Sequence, residues 1–411
     1  MSSASRLLST GSKAVHLWRE SGSRAVAQRI ARVAYQRLDA ASLQFPLELE
    51  NVADSLRLSL PLPEGHVERS RRLRVGWVCT PPGMYSGGHT TMFRMVSALE
   101  QAGHECTMFL YDRFGGDVRA YEETLRLGWP SIRGRVLDAR AGIDGVDACV
   151  ATSWPTAHFL ARHGTKPMRR LYLVQDFEPF FYPRGGEYAL VEDTYRFGFR
   201  CLAIGHMVAD LLRERIGITA DVLEFGCDTD VYRFDERAPR DAVVFYAKPR
   251  TARRGFVLGA LALEQVHRRR PDVPIHVVGD ATARLSFPAA VHGVMAPQDL
   301  AQLYNRCRVG IALSFTNVSL LAEELLACGT VPVVNDSAYA RADVVSDQVR
   351  WGKPTPSGIA DAVLEVLEIS PDPVDVAGSA RQDAWRPGQA AFVRAVEEEV
   401  YGPSPSPAEV A

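Results

Sequence analysis

No apolar run in the 411 residues approaches the ~18 to 20 residues that a membrane-spanning helix needs. The seven cysteines (79, 106, 149, 201, 227, 307 and 328) are scattered, odd in number and form no Cys-x-x-Cys pair. They read as reduced thiols in a cytoplasmic protein. The formal net charge is −2, so no whole-protein field argues for nucleic acid. No Gly-x-Gly-x-x-Gly opens either first helix, which counts against a dehydrogenase. The chain reads as offering no Asp-x-Asp and no His/Cys cluster with clear metal-ligand spacing, so metal-free chemistry without a cofactor is the expectation. The opening "MSSASRLLSTGSK" lacks the compact apolar segment and cleavage site of a signal peptide.

What is present begins with an Arg-rich, acid-poor segment over residues 1–40, with Val15, Trp18, Val26, Ile30, Val33 and Leu38 at roughly helical intervals. Residues 1–72 are expected to form a helical extension. Its basic part, 1–40, lies on an anionic membrane face as a peripheral contact, packs on the body, or is a frayed arm. From residue 73, strands and helices alternate. "LRVGWVC" (73–79), "HECTMFLY" (104–111), "VDACVATS" (146–153), "RRLYLVQD" (169–176) and "FRCLAIG" (199–205) read as strands of one unit, 73–228. "DAVVFYAK", "VPIHVVGD", "VGIALSF" and "VPVVND" read as strands of a second, 229–380. This rhythm predicts two doubly wound parallel-sheet α/β domains, joined by a hinge around 224–240 and facing each other across a cleft. A helix over 381–402 follows the second sheet, and 403–411 ("PSPSPAEVA") reads as a disordered tail.

Open α/β sheets bind ligands beyond the carboxyl ends of their strands. In the second unit, "YAKPRTARRG" places Lys248, Arg250, Arg253 and Arg254 in a turn leading to a helix N-terminus, where backbone N–H groups favour phosphate. A solvated basic loop is the plainer alternative. In "SFTNVSLLAEELLACGTVPVV", a carboxylate of the pair Glu323–Glu324 could accept two hydrogen bonds from a ribose diol, or simply suit the helix macrodipole.

These residues resemble the donor-site signature of GT-B glycosyltransferases of the family 4 type. The stretch "GMYSGGHTTMFRMVSALEQAGHECTMFL" resembles that group's first glycine-rich loop and helix. More narrowly, "YLVQDFEPFFYPRGGEYALVEDTY" with "FYAKPRTARRGFVLGALAL" is similar to the WsaF-type rhamnosyltransferases of bacterial surface-glycan synthesis, from about residue 73 to 400. The resemblance implies a GT-B fold, a nucleotide-sugar donor such as dTDP-rhamnose, and a growing glycan or lipid-linked acceptor at the inner membrane face. It implies that Glu324 holds the nucleotide ribose. The family's first glutamate falls at Thr316, so this chain departs there, leaving Asn317 and Ser319 as polar groups to substitute. Lys248, Arg250 and Arg254 fall in the region of the basic pair that grips the diphosphate. Gly87 and Gly88, with His89 after them, match the glycines that admit donor or acceptor.

"QDFEPFFYPRGGEY" (175–188) combines acids and rings at the carboxyl edge of the first domain. Asp176 and Glu178 are the candidate catalytic or acceptor-site acids, and Phe177, Phe180 and Tyr182 the candidate acceptor-stacking rings. Alternatively the segment is a packing clasp, with its acids paired to Arg184 or capping the helix near Glu187. His158 reads as a surface residue, and His276 and Asp280 as structural. Against a transferase stand a sugar-nucleotide epimerase or hydrolase of the same fold and a catalytically idle binding partner.

Overall fold

Apolar, β-branched runs become the central strands of two parallel sheets in the computed structural model, which describes residues 45–84, 86–317 and 320–403. The first lobe runs β1 (Arg74–Cys79), α1 (Gly87–Gln101), β2 (Glu105–Leu110), α2 (Val118–Gly128), β3 (Arg135–Asp138), β4 (Ala148–Ala151), α3 (Trp154–His163), β5 (Arg169–Val174), α4 (Gly186–Asp193), β6 (Arg200–Ile204), α5 (His206–Leu211) and β7 (Asp221–Leu223). Its strands pair in the order β3-β2-β1-β4-β5-β6-β7. The second lobe runs β8 (Ala242–Tyr246), α6 (Phe256–Arg269), β9 (Ile275–Val278), β10 (Ala290–Gly293), α7 (Pro297–Asn305), β11 (Cys307–Ile311), α8 (Leu320–Ala327), β12 (Val331–Asn335), α9 (Ala338–Arg341), β13 (Arg350–Gly352) and α10 (Pro356–Ile369). Its order is β10-β9-β8-β11-β12-β13. The strand order therefore reverses between β1 and β4 in one sheet and between β8 and β11 in the other. Those reversals open crevices at the carboxyl edges.

The chain then turns back. After α11 (Pro373–Gly378), α12 (Arg386–Tyr401) sets Phe392, Val396 and Val400 into the core of the first lobe. The Phe392 ring stacks 5.3 Å from Trp77 on β1. Two crossings between lobes thus lie together. Arg381 bridges them, donating to Glu224 Oε2 at 2.9 Å and, through its backbone N–H, to Glu323 Oε2 at 3.1 Å. Asp343 of the second lobe accepts the N–H groups of His206 (2.5 Å) and Met207 (3.1 Å), capping α5 of the first. Gly205 precedes that cap at φ 87°, where a Cβ would meet Asp343 Oδ2 at 2.7 Å.

The expected helical extension is corrected in part. Residues 1–44 lie outside the described residues, as does the tail from 404. Over 45–72 the sole regular element is one 3-10 turn, Leu49–Asn51. Prolines 46, 61 and 63 interrupt any helix there. Instead residues 53–61 lie along the first lobe: Ala53 N donates to His158 Nδ1 (3.1 Å), and Arg170 donates to the Pro61 carbonyl (2.8 Å). His158 is consequently buried rather than a surface residue, and burial pushes it down to about 4. All seven cysteines are buried free thiols; burial pushes those of Cys79, Cys106, Cys201 and Cys328 up to about 12.

Candidate active site

Both crevices open onto one cavity of about 310 Å³. The first lobe contributes Thr80 after β1, Thr152 and Ser153 after β4, Gln175, Asp176, Glu178 and Phe181 after β5, and the first turn of α1. The second lobe contributes Arg253 and Arg254 between β8 and α6, then Asn317 and Leu320 after β11. Among the described residues no helix is long and apolar enough to cross a membrane, and no group of three or more His, Cys, Asp or Glu is arranged to hold a metal. An Asp-x-Asp triplet does occur at Asp228–Thr229–Asp230, a carboxylate pair that the metal-free expectation passed over. Asp228 there forms an ion pair with Arg94.

The α1 wall is a helix N-terminus aimed into the cavity. Ser86 is the N-cap. A Cβ at Gly87 would meet open space, and one at Gly88 would meet only the Gln175 side chain, so backbone N–H groups are approachable here. His89 lines the wall with its ring nitrogens engaged. Nδ1 lies 2.9 Å from Ser86 Oγ and Nε2 lies 3.2 Å from the Thr80 carbonyl. The carbonyl requires the proton on Nε2, so the hydroxyl of Ser86 donates to Nδ1. Burial lowers its pKa, keeping the ring neutral.

The acid–aromatic stretch is a strap between the lobes. Its Glu178–Phe181 portion is a 3-10 turn, which eclipses side chains at i and i+3 and turns Phe177 and Phe180 the same way, off the cavity. Phe177 is 0% exposed and stacks on Tyr195. Phe180 lies against Tyr339 of the second lobe at 5.5 Å, with Arg215 over its face. Tyr182 accepts the Trp154 indole N–H at 3.0 Å. None of these three lines the cavity, contrary to the expected stacking role; Phe181 does.

Glu178 is also reassigned. One carboxylate oxygen accepts the Trp154 N–H (2.6 Å), capping α3, and the Tyr172 hydroxyl (3.1 Å). Burial outweighs those bonds and pushes its pKa up to about 8. It touches the cavity but is held as a structural cap. Asp176 is 6% exposed and meets the other lobe directly. Its Oδ2 accepts the Thr316 hydroxyl at 2.8 Å and lies 3.7 Å from Arg253 Nε. Its Oδ1 accepts the Phe177 N–H at 2.9 Å. Burial raises its pKa, and Arg254, Thr316 and Arg253 oppose that rise. Thr316, where an acid was expected to be missed, thus borrows one from across the cleft. Next to it, Asn317 Nδ2 donates to the Gln175 carbonyl at 2.7 Å. Ser319 lies outside the described residues.

The basic turn divides three ways. Lys248 sits 5.3 Å over the Tyr246 ring and Arg250 is 82% exposed, 4.0 Å from Asp280; neither lines the cavity. Arg254 lines it while anchoring the next loop, donating to Ser314 Oγ (2.9 Å) and the Asn317 carbonyl (3.2 Å). Arg253, grouped with the others in sequence but not singled out, also faces the cavity. Gly255 follows at φ 61°, where a Cβ would sit 3.0 Å from Phe315, so the turn carrying the two arginines ends in a conformation that favours glycine. Glu323 is spent on Arg381. Glu324 lies one turn beyond Leu320 on the same face of α8 and does not itself line the cavity. Burial and Asp228 push its carboxyl up to about 8, against Arg94. Gln175, Thr80, Thr152 and Ser153 gave no sequence signal beyond standing at strand ends.

Comparison with known proteins agrees with this geometry. A family profile described as "WsaF, C-terminal domain" matches residues 241–364, and one described as "WsaF, N-terminal domain" matches 137–206. The O-antigen biosynthesis protein RfbC of Myxococcus xanthus is 30% identical over 297 residues, covering 67% of this chain. The chain spans 23% of that relative's length. Among solved structures, Anabaena Alr3699/HepE in complex with UDP-glucose superposes with a TM-score of 0.55 at 14% identity, over 80% of this chain and 96% of that one. A candidate UDP-N-acetylglucosamine 2-epimerase from Listeria monocytogenes does so at 0.55 and 10%, over 81% and 98%. The chain is WsaF-like in both lobes, and its fold is GT-B.

Proposed function

We propose that this chain is a glycosyltransferase of surface-polysaccharide synthesis, moving a sugar from a nucleoside diphosphate to a glycan acceptor in the interlobe cavity. One observation carries the reading. The cavity stands at the switch points of both sheets, with a helix N-terminus on one wall and two inward-facing arginines on the other. Breaking the bond from an anomeric carbon to a diphosphate builds negative charge on the leaving oxygen. Guanidinium N–H groups and free backbone N–H groups fixed around that oxygen lower the barrier without reorganising. Asp176, which lines the cavity, is the acid we assign to take a proton from an acceptor hydroxyl, once freed from its present partners. Glu324, one turn along α8 from the cavity-lining Leu320, is the acid we assign to a ribose diol, on the family resemblance.

The finer reading is dTDP-rhamnose as donor, a lipid-linked or growing glycan as acceptor at the cytoplasmic membrane face, and no metal. The similarity to WsaF domains and to a protein named for O-antigen biosynthesis supports it. The protein should be incubated with radiolabelled dTDP-rhamnose, UDP-glucose or GDP-mannose, with and without a lipid extract as acceptor, in EDTA. Nucleotide release that requires the extract is the expected result. Release without an acceptor would indicate hydrolysis, and binding of none of the three would contradict the reading.

A further inference from the structure

Arg253 is the least satisfied cation in the cleft. Its side chain is 28% exposed, and its buried Nε donates no hydrogen bond among the described residues. The guanidinium lies 3.9 Å over the Phe181 ring and 3.7 Å from Asp176 Oδ2, a contact too long for a charge-assisted hydrogen bond. Its neighbour Arg254 is already committed to Ser314 and Asn317, and the two like charges oppose each other; burial first, then Arg254, disfavours the charge of Arg253. Asp176 is in the reverse position. It takes the Phe177 N–H, the Thr316 hydroxyl and the charge of Arg253 together. So a guanidinium with an unused Nε–H reaches across the cleft, at a contact too long for a hydrogen bond, to a carboxylate that already has two other partners, at the wall of a cavity that faces a helix N-terminus.

We infer that Arg253 is an exchange residue: it pairs with Asp176 in the empty cleft, and a diphosphate entering the cavity takes it over by two-point contact, releasing Asp176 to the second substrate. The inference rests on reading the cleft as a nucleoside-diphosphate site. It makes Asp176 a built-in competitor for the anion position, and it sets the order of binding, with the diphosphate-bearing substrate first. Arg253 and not Lys248 or Arg250 is then the second phosphate-gripping cation, beside Arg254.

Calorimetric titration of the full chain with inorganic pyrophosphate, and then with dTDP, tests this. Asp176→Asn keeps an oxygen for the Thr316 hydroxyl but removes the competing charge, and should bind pyrophosphate about 5-fold tighter than wild type. Arg253→Gln should bind at least ~10-fold more weakly. In the double variant the gain from Asp176→Asn should vanish, because its effect runs through Arg253. Affinity in Asp176→Asn equal to or below wild type overturns the exchange, and so does a gain that persists without Arg253. Should Asp176→Asn fail to fold, Thr316→Val serves. It leaves the Oδ2 of Asp176 to Arg253 alone and should weaken pyrophosphate binding about 2-fold; unchanged or tighter binding overturns the exchange. Equal pyrophosphate affinity across the set removes this inference and leaves the transferase reading standing, whereas binding to none of the proteins removes both.

Discussion

The strap at 175–182 and the basic turn at 247–255 face each other across the cleft, and they treat charge in opposite ways. The strap's acids are occupied. Glu178 caps α3 and accepts a tyrosine hydroxyl, and Asp176 bonds a threonine of the other lobe. The turn's cations retain capacity, Arg253 most of all. A lobe whose acids already have partners acts as a rigid wall. A lobe with unsatisfied buried cations is incomplete until an anion arrives, since a buried donor without a partner costs ~1–3 kcal/mol. The difference explains why the same stretch reads as both clasp and site: it clasps the second lobe through Phe180 and Tyr339 while keeping one acid at the cavity.

Replacing the satisfied acid should break the comparison most visibly. Glu178→Ala strands the Trp154 N–H and the Tyr172 hydroxyl and should lower stability by about 2–4 kcal/mol in denaturant unfolding. A loss under ~0.5 kcal/mol would place Glu178 among the functional acids instead. The pH dependence sharpens the point. Burial holds the folded-state pKa near 8, above the ordinary 4.5. A carboxyl raised on folding stabilises the protein while protonated, so its contribution is complete below about 4.5 and is lost as pH rises toward 8. Glu178→Gln should therefore melt with wild type near pH 4.5 and a few degrees above it at pH 8; an unchanged difference across that range would remove the assignment. The smallest effect belongs to the outward cations. Lys248→Ala and Arg250→Ala should each change dTDP affinity by less than ~3-fold, since exposed charges are well screened. A loss of ~10-fold in either would return that residue to the site and weaken the contrast with Arg253.

Much of this architecture was legible in the chain. The nine strands read from "LRVGWVC", "VPIHVVGD" and their like are interior to the sheets, where burial on both faces writes continuous apolar runs. The four that went unread, β3, β7, β10 and β13, are the edges of the two sheets. They are three or four residues long and none is buried along its whole length, so neither length nor hydrophobicity marks them. Site residues followed a similar division. Gly87, Gly88, His89, Asp176, Arg254 and Asn317 were picked from loops at strand ends and do meet at one cavity. Which of four clustered cations faces the cavity depends on the path of the turn that ends in the left-handed Gly255, and that path is not written in a sequence. The fate of Phe177, Phe180 and Tyr182 was hidden for a related reason. Rings suit a sugar face and a protein interior equally well, and only the 3-10 turn decides which way each points.

The central claim is that an activated sugar occupies the space between the α1 N-terminus and the Arg253–Arg254 turn. A crystal grown with dTDP-rhamnose tests it directly. The account predicts diphosphate density within hydrogen-bond distance of the Gly87–Gly88 backbone and both guanidinium groups, with Asp176 no longer facing Arg253. Density lodged elsewhere on the protein, or a diphosphate held by Lys248 and Arg250 with the Asp176–Arg253 pair intact, would contradict it.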